Sequence, residues 1–419
     1  MTAATALPEV ERASLQRRTV ATLRLSQVPA QAAVSGMVAV VALMVKDLLD
    51  NDRLAGSGSA AFTLGSALVA VPLSGLMRRR GRRAGLVRAF GLGSIGALVA
   101  AMAGQVGSFP LFVVGMLAFG SGQAAALQSR FVAADLATAD ERPKAIGSVV
   151  WIGTLGAAFG PLLTPWEKHV AEAFGLRPLV GPFLFAALFF AISATVAAVR
   201  LRPDPLAAAG LLDPSAERVR PIRNVRMASG HIAASRAAQL GLAAMVVSQT
   251  AMVAVMTMTP PFMNDHGHAN LSPYVIALHI VGMYGFSPFV GRAVDRIGRP
   301  ASIVVGSVVL GAGTFVTVVG GYSAVLVFVG LFLLGVGWSF GLVAGSTLLS
   351  ESVPAHARVE VQGTGDLTMS LFGGVAAFSS GFVKEAWGFG TLAHVATVLA
   401  GVLFVYTLAT RNTRALSPG

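Results

Sequence analysis

Long apolar stretches, each broken by a short polar or glycine-rich gap, recur along all 419 residues. They run to about 20 residues, the length a helix needs to cross the hydrocarbon of a bilayer. The pattern predicts twelve helical spans, at about 24–46, 56–77, 84–104, 110–130, 145–165, 180–199, 238–260, 272–291, 301–321, 323–348, 360–383 and 389–410. No ten-residue alternation of the membrane β-barrel kind is present. The expected fold class is therefore an all-α membrane protein with twelve transmembrane helices. Residues 1–22 are polar and lack the order of a signal peptide, so the first apolar run is expected to stay as a helix.

Composition agrees with the pattern. The chain is 54% hydrophobic and 12% charged, against about 25% charged for a soluble protein. The net charge of +12 does not point to nucleic acid once arginine and lysine are placed on the spans. With the N-terminus inside, 26 of the 31 Lys and Arg fall on inner segments, a strong positive-inside bias. Both termini are thus expected in the cytoplasm. There are no cysteines, which excludes disulfides and thiolate metal sites.

The chain repeats itself. The loop after span 2 reads "SGLMRRRGRR" (74–83) and the loop after span 8 reads "GRAVDRIGRP" (291–300). Gly81 and Gly298, and Arg82 and Arg299, are 217 positions apart. "DERPKAIG" (140–147) and "AHARVEVQG" (355–363) pair Arg142 with Arg358 and Gly147 with Gly363 at an offset of 216. A duplicated six-helix unit explains both offsets. The expected domains are 1–199, an N-terminal six-helix bundle; 200–237, a proline-bearing cytoplasmic linker; and 238–419, a C-terminal six-helix bundle.

This organisation resembles the major facilitator superfamily over almost the whole chain. Gly291, Asp295, Arg296, Gly298 and Arg299 match the loop motif of that family in full. In the first copy Ser74 replaces the leading Gly, and Arg78 stands where the Asp belongs. That copy is read as a tight turn with positive-inside arginines. The resemblance implies two pseudo-symmetric bundles, a loop that gates the cytoplasmic side, and transport by rocking around a midplane site.

Candidate chemistry lies in the second half. "AMVAVMTMTPPFMNDHGH" (251–268) holds four of the fourteen methionines and two of the seven histidines. Met252 and Met256 are four apart, on one face of span 7. His279 and Met283 repeat that spacing on span 8. At about 1.5 Å per residue from the outer ends, Met256 and Met252 lie roughly 6 and 12 Å deep, and His279 and Met283 roughly 10 and 16 Å. Thioether and imidazole ligands suit Cu(I), and oxygen ligands suit Mg or Ca. Methionine alone is commonly a packing residue, whereas a histidine inside a span is a functional candidate by default. At offset 216 the four residues correspond to Gly36, Val40, Thr63 and Ala67, none a soft-metal ligand.

The Met-x-x-x-Met and His-x-x-x-Met pairs resemble the signature of CcoA-like copper importers (the CalT subfamily), facilitators that supply copper for bacterial oxidase assembly. The resemblance implies metal binding by Met252, Met256, His279 and Met283, import of Cu+, and residence in the bacterial inner membrane. The alternative is a proton-coupled transporter or exporter of an organic solute, such as a drug or riboflavin. Neither reading involves catalysis or a cofactor, copper being cargo. The expected partners are Cu+ or a small molecule, protons and lipid, with a monomer as the working unit and no nucleic acid. Met263, His266 and His268 form a candidate outer capture group, more simply read as solvated loop residues. Asp135 and Asp366 are the candidate proton-coupling acids, with Arg130 a candidate partner of Asp135. Two glycine patterns, "GLGSIG" (91–96) and "GTLGAAFGP" (153–161), are read as close helix packing.

Overall fold

The structure, a computed structural model, describes residues 8–38, 40–51, 53–138, 142–210, 212, 221–320, 323–354 and 357–411. Parts of the 200–237 linker, of the 140–147 and 355–363 pair, and of both termini therefore lie outside the described residues. Every regular element among the described residues is helical. In order they are α1 (Glu9–Val38), α2 (Val41–Leu49), α3 (Ser57–Arg80), α4 (Arg82–Val106), α5 (Phe109–Val132), α6 (Arg142–Ala173), α7 (Gly181–Arg200), α8 (Pro205–Ala208), α9 (Pro221–Ala234), α10 (Arg236–Asp265), α11 (Ser272–Ile280), α12 (Ser287–Ile297), α13 (Arg299–Val319), α14 (Ala324–Glu351), α15 (Arg358–Trp387) and α16 (Phe389–Arg411). A π turn, Val281–Gly285, joins α11 to α12.

Among the described residues, eleven helical stretches are long and apolar enough to cross a membrane, and α1 with α2, bent by 40°, makes a twelfth if the pair is one span. The spans thus follow the hydrophobic pattern, but the helices overrun it. α1 starts at Glu9, well inside the polar N-terminal segment. α10 continues through Pro260 and Pro261 to Asp265. Local chemistry sets several ends. Ser235 caps α10 by accepting from the Ala238 N–H at 3.2 Å. Gly81 (φ 90°) and Gly298 (φ 84°) make the abrupt α3–α4 and α12–α13 turns, a conformation that glycine adopts without a Cβ penalty.

The contacts divide the chain into two compact units. Unit 1 is Met1–Val40 with Leu64–Val219, and unit 2 is Val41–Thr63 with Arg220–Gly419. The compact units therefore cut the chain differently from the sequence halves, because 41–63 groups with the later helices. Inside unit 1 the glycine patterns act as packing surfaces. Gly156 and Gly160 of α6 lie against the α1 backbone at Val28 and Ala32. Gly96 of α4 lies against Ala118 and Phe119 of α5. Phe190 covers Gly122, with its ring 5.0 Å from Phe119 and 5.9 Å from Phe90. In unit 2, Leu240, Ala244, Val294, Ile303, Ala344 and Leu403 join α10, α12, α13, α14 and α16 in one core. Small residues let membrane helices approach closely where water supplies no driving force between them.

Candidate functional site

Met252 and Met256 lie on one face of α10 and are 9% and 4% exposed. His279, the last residue but one of α11, is 1% exposed, and Met283 sits in the π turn at 6%. Helices α10 and α11 touch each other, and α11 packs on α14. The approach of α14 is close because its Gly335 faces the His279 backbone. A Cβ on Gly335 would overlap the His279 carbonyl and come within 3.1 Å of the Met283 nitrogen.

That proximity fixes the imidazole. Nδ1 lies 2.7 Å from the Leu331 carbonyl oxygen. An oxygen there only accepts, so Nδ1–H donates and the neutral ring carries its lone pair on Nε2. Nε2 is buried and has no partner among the described residues. The π turn begins two residues further on, with Phe286 N–H donating to Val281 at 3.3 Å in the i→i+5 pattern. Such turns interrupt α-helices mostly at functional positions.

The outer group divides. Met263 belongs to α10 and is 1% exposed, so it is a buried helix residue and not part of a solvated loop. The hydrophobic run stops at the two prolines, while the helix does not. His266 follows α10, its Nδ1 donating to the Phe262 carbonyl at 2.7 Å. His268 is half-buried in the turn before α11. Just before them, Asp265, the last residue of α10, accepts from Lys46 at 2.8 Å and from Lys384 at 2.7 Å.

The loop motif has its own geometry. Gly291 has open space around it, Asp295 and Arg296 are exposed, and Gly298 turns the chain. Arg299 reaches Glu351 at the end of α14, with Nε at 3.0 Å and Nη2 at 2.8 Å. The first copy does the same despite its missing motif acid: Arg82 holds Asp135 at 2.8 and 2.9 Å. In addition, Asp204 accepts from the Arg83 N–H at 2.8 Å, placing a carboxylate at the N-terminus of α4. Of the two coupling candidates, Asp135 is thus clamped by Arg82, and Asp366 is half-buried in α15.

The pattern of residues did not reveal several polar groups inside the helices. Glu167 of α6 is 3% exposed, with Oε2 unpartnered. Gln27, Gln123 and Thr154 each keep a buried oxygen without a partner. Periodicity cannot find such groups, because a glutamine in a mainly apolar span reads like any small interruption.

The family model described as Major Facilitator Superfamily matches residues 25–378 and 270–417. The chain belongs to the Major Facilitator Superfamily. It is 35% identical over 413 residues to the uncharacterized MFS-type transporter YdeG of Bacillus subtilis, covering 97% of this chain and 94% of that one. It is 26% identical over 384 residues to the riboflavin transporter RfnT of Brucella anthropi, covering 90% and 93%. Among solved structures, a mutant of the nucleoside transporter NupG superposes with a TM-score of 0.74 at 14% identity, covering 93% of this chain and 99% of that one. A bacterial homologue of the human lysosomal transporter Spinster gives 0.70 at 14% identity, covering 97% and 99%. As a superfamily member the chain is a multi-pass membrane protein and a secondary transporter. Its fold is the facilitator fold, with every regular element among the described residues helical.

Proposed function

We propose that this facilitator imports Cu+ across the bacterial inner membrane by alternating access, holding it in unit 2 with Met252, Met256, His279 and Met283. The observation that carries the reading is the His279 ring: one nitrogen is tied to a backbone carbonyl, and the other is buried with its lone pair unused. A metal ligand's second nitrogen is ordinarily fixed in this way. Three thioethers and one neutral imidazole suit a soft monovalent ion and add no buried anion. Met263, seven residues beyond Met256 and buried, is the residue we assign to receive the ion from the outer side. Proton coupling is assigned to Asp366, half-buried in α15, or to Glu167, whose Oε2 is buried without a partner in α6.

The test is copper accumulation in cells expressing the wild type and the Met252→Ala, Met256→Ala, His279→Ala and Met283→Ala variants. His279→Ala is expected to lower accumulation at least tenfold. Equal accumulation by all five proteins, at matched membrane levels, would remove the copper reading.

A second reading, transport of an organic solute, is favoured by the similarity to the riboflavin transporter RfnT. On that reading expressing cells take up riboflavin saturably, and the four variants alter this uptake without altering copper.

A further inference from the structure

Three mutually touching helices of unit 1, α1, α5 and α6, each carry a buried side-chain oxygen without a partner. Gln27 of α1 is 3% exposed, and its Nε2 donates to the Ala126 carbonyl of α5 at 3.3 Å. That bond settles which end of the amide is which and leaves Oε1 as an acceptor. Oε1 is buried and unpartnered. Gln123 precedes Ala126 by one turn of α5, and its Oε1 is likewise buried without a partner. Thr154 of α6 is 9% exposed and has a buried, unpartnered Oγ1. Its neighbour Gly153 lies against α1 at this level: a Cβ there would sit 3.1 Å from the Gln27 Cγ and 3.2 Å from the Gln31 Cγ.

Unmet polar groups at membrane depth each cost free energy, so a helical protein leaves them only where something else satisfies them. The oxygens are neutral and, in the two amides, accept only. A bare cation held by them alone would be buried without a counter-charge. A soft metal prefers sulfur and nitrogen. A neutral organic molecule carrying N–H or O–H donors meets both conditions, and the two glutamine carbonyls suit a planar amide or imide. The site is also particular to unit 1. At offset 216 its residues correspond to Ala243, Ser339 and Ser370, of which none carries an amide.

We infer that Gln27, Gln123 and Thr154 form a binding site in unit 1 for the N–H or O–H donors of a neutral, planar organic solute. This goes beyond the copper reading and does not rest on it.

The chain has no cysteine, so Gln31→Cys in the full-length protein supplies a single thiol beside the site. In lipid nanodiscs, its reaction with methyl methanethiosulfonate is followed by intact mass. The probes are uracil, which has two N–H donors, and 1,3-dimethyluracil, which has none. Uracil is expected to slow labelling at least fivefold, and 1,3-dimethyluracil is expected to leave it unchanged. Adding Gln123→Leu or Thr154→Val should abolish the protection while labelling continues, which shows that the variant is folded and open. Absence of labelling would mean a sealed or merely hydrated cluster and would overturn the proposal. Protection by neither probe, or by both equally, would overturn it as well.

Discussion

Arg82 and Asp135 in unit 1, and Arg299 and Glu351 in unit 2, are the same device at two places in the chain. Each arginine opens a helix just after a left-handed glycine, Gly81 or Gly298, and grips a carboxylate 53 or 52 residues later with two bonds. Asp135 and Glu351 differ by 216 positions, the offset seen elsewhere in the repeat. The interiors of the two sequence halves, by contrast, have parted. The second half carries methionines and a histidine where the first has Gly36, Val40, Thr63 and Ala67. The first carries glutamines where the second has Ala243 and Ser339. Turn geometry has stayed alike while side-chain chemistry has diverged, as expected if the turns serve the fold and the interiors serve the cargo.

Chemistry at the His279 site should give the largest effect. If the comparison is right, His279→Ala removes copper uptake, while Thr63→Ala, its repeat counterpart, leaves uptake within twofold of wild type. Equal effects would erase the distinction between the two halves. Gly335 sharpens the same point. Its counterpart in the first half is Phe119, so the Cβ-free position that faces His279 is particular to the second half. Gly335→Ala places a methyl group on the His279 carbonyl, and overpacking of this sort costs about 1–3 kcal/mol. A lower melting temperature together with at least a fivefold loss of copper uptake is expected. A stability loss with uptake intact would mean that α14 packs on His279 without orienting it.

The two clamps should not be equal in strength. Side chains of Arg82 and Asp135 are 18% and 8% exposed, against 30% and 52% for Arg299 and Glu351. Breaking the more buried pair leaves an arginine charge poorly solvated, so Asp135→Asn is expected to cost about 2 kcal/mol. Glu351→Gln, at a solvated pair, is expected to cost under about 1 kcal/mol. Thermal unfolding in one detergent compares them directly. The reverse order would show that exposure does not set the strength of this device.

These comparisons also show where reading the residues succeeded and where it stopped. Span positions were legible because apolar runs of about 20 residues have few other uses. The second loop motif was legible because its glycine and charges are close together in sequence. The partners of its arginines were not, since Asp135 and Glu351 lie more than fifty residues away. Their common offset of 216 was the signal available, and it was usable only once Arg82 had a partner to seek. The first copy looked like a bare turn because its own acid was missing, yet Asp135 and Asp204 supply carboxylates from elsewhere in unit 1. Met263 was misplaced because two prolines resemble a helix end, although α10 carries them in its interior. The π turn after His279 has no composition signal, since it depends on how α11 seats against α14.

The smallest effect concerns a feature of unit 2 that has no repeat partner: Asp265 between Lys46 and Lys384, at a position where the first half of the sequence has Leu49. Asp265 and Lys46 are about one-third exposed, while the Lys384 side chain is 8% exposed. Solvated pairs contribute little each, about 0–1 kcal/mol, but losing the shared acid leaves two lysines facing each other. Asp265→Asn is therefore expected to lower the melting temperature by about 2 °C at low salt. Because the loss is electrostatic between partly solvated charges, it should shrink toward zero in 1 M NaCl, where the screening length is about 3 Å. A difference that persists at high salt would instead assign the cost to the buried Lys384, held in place by packing as much as by charge.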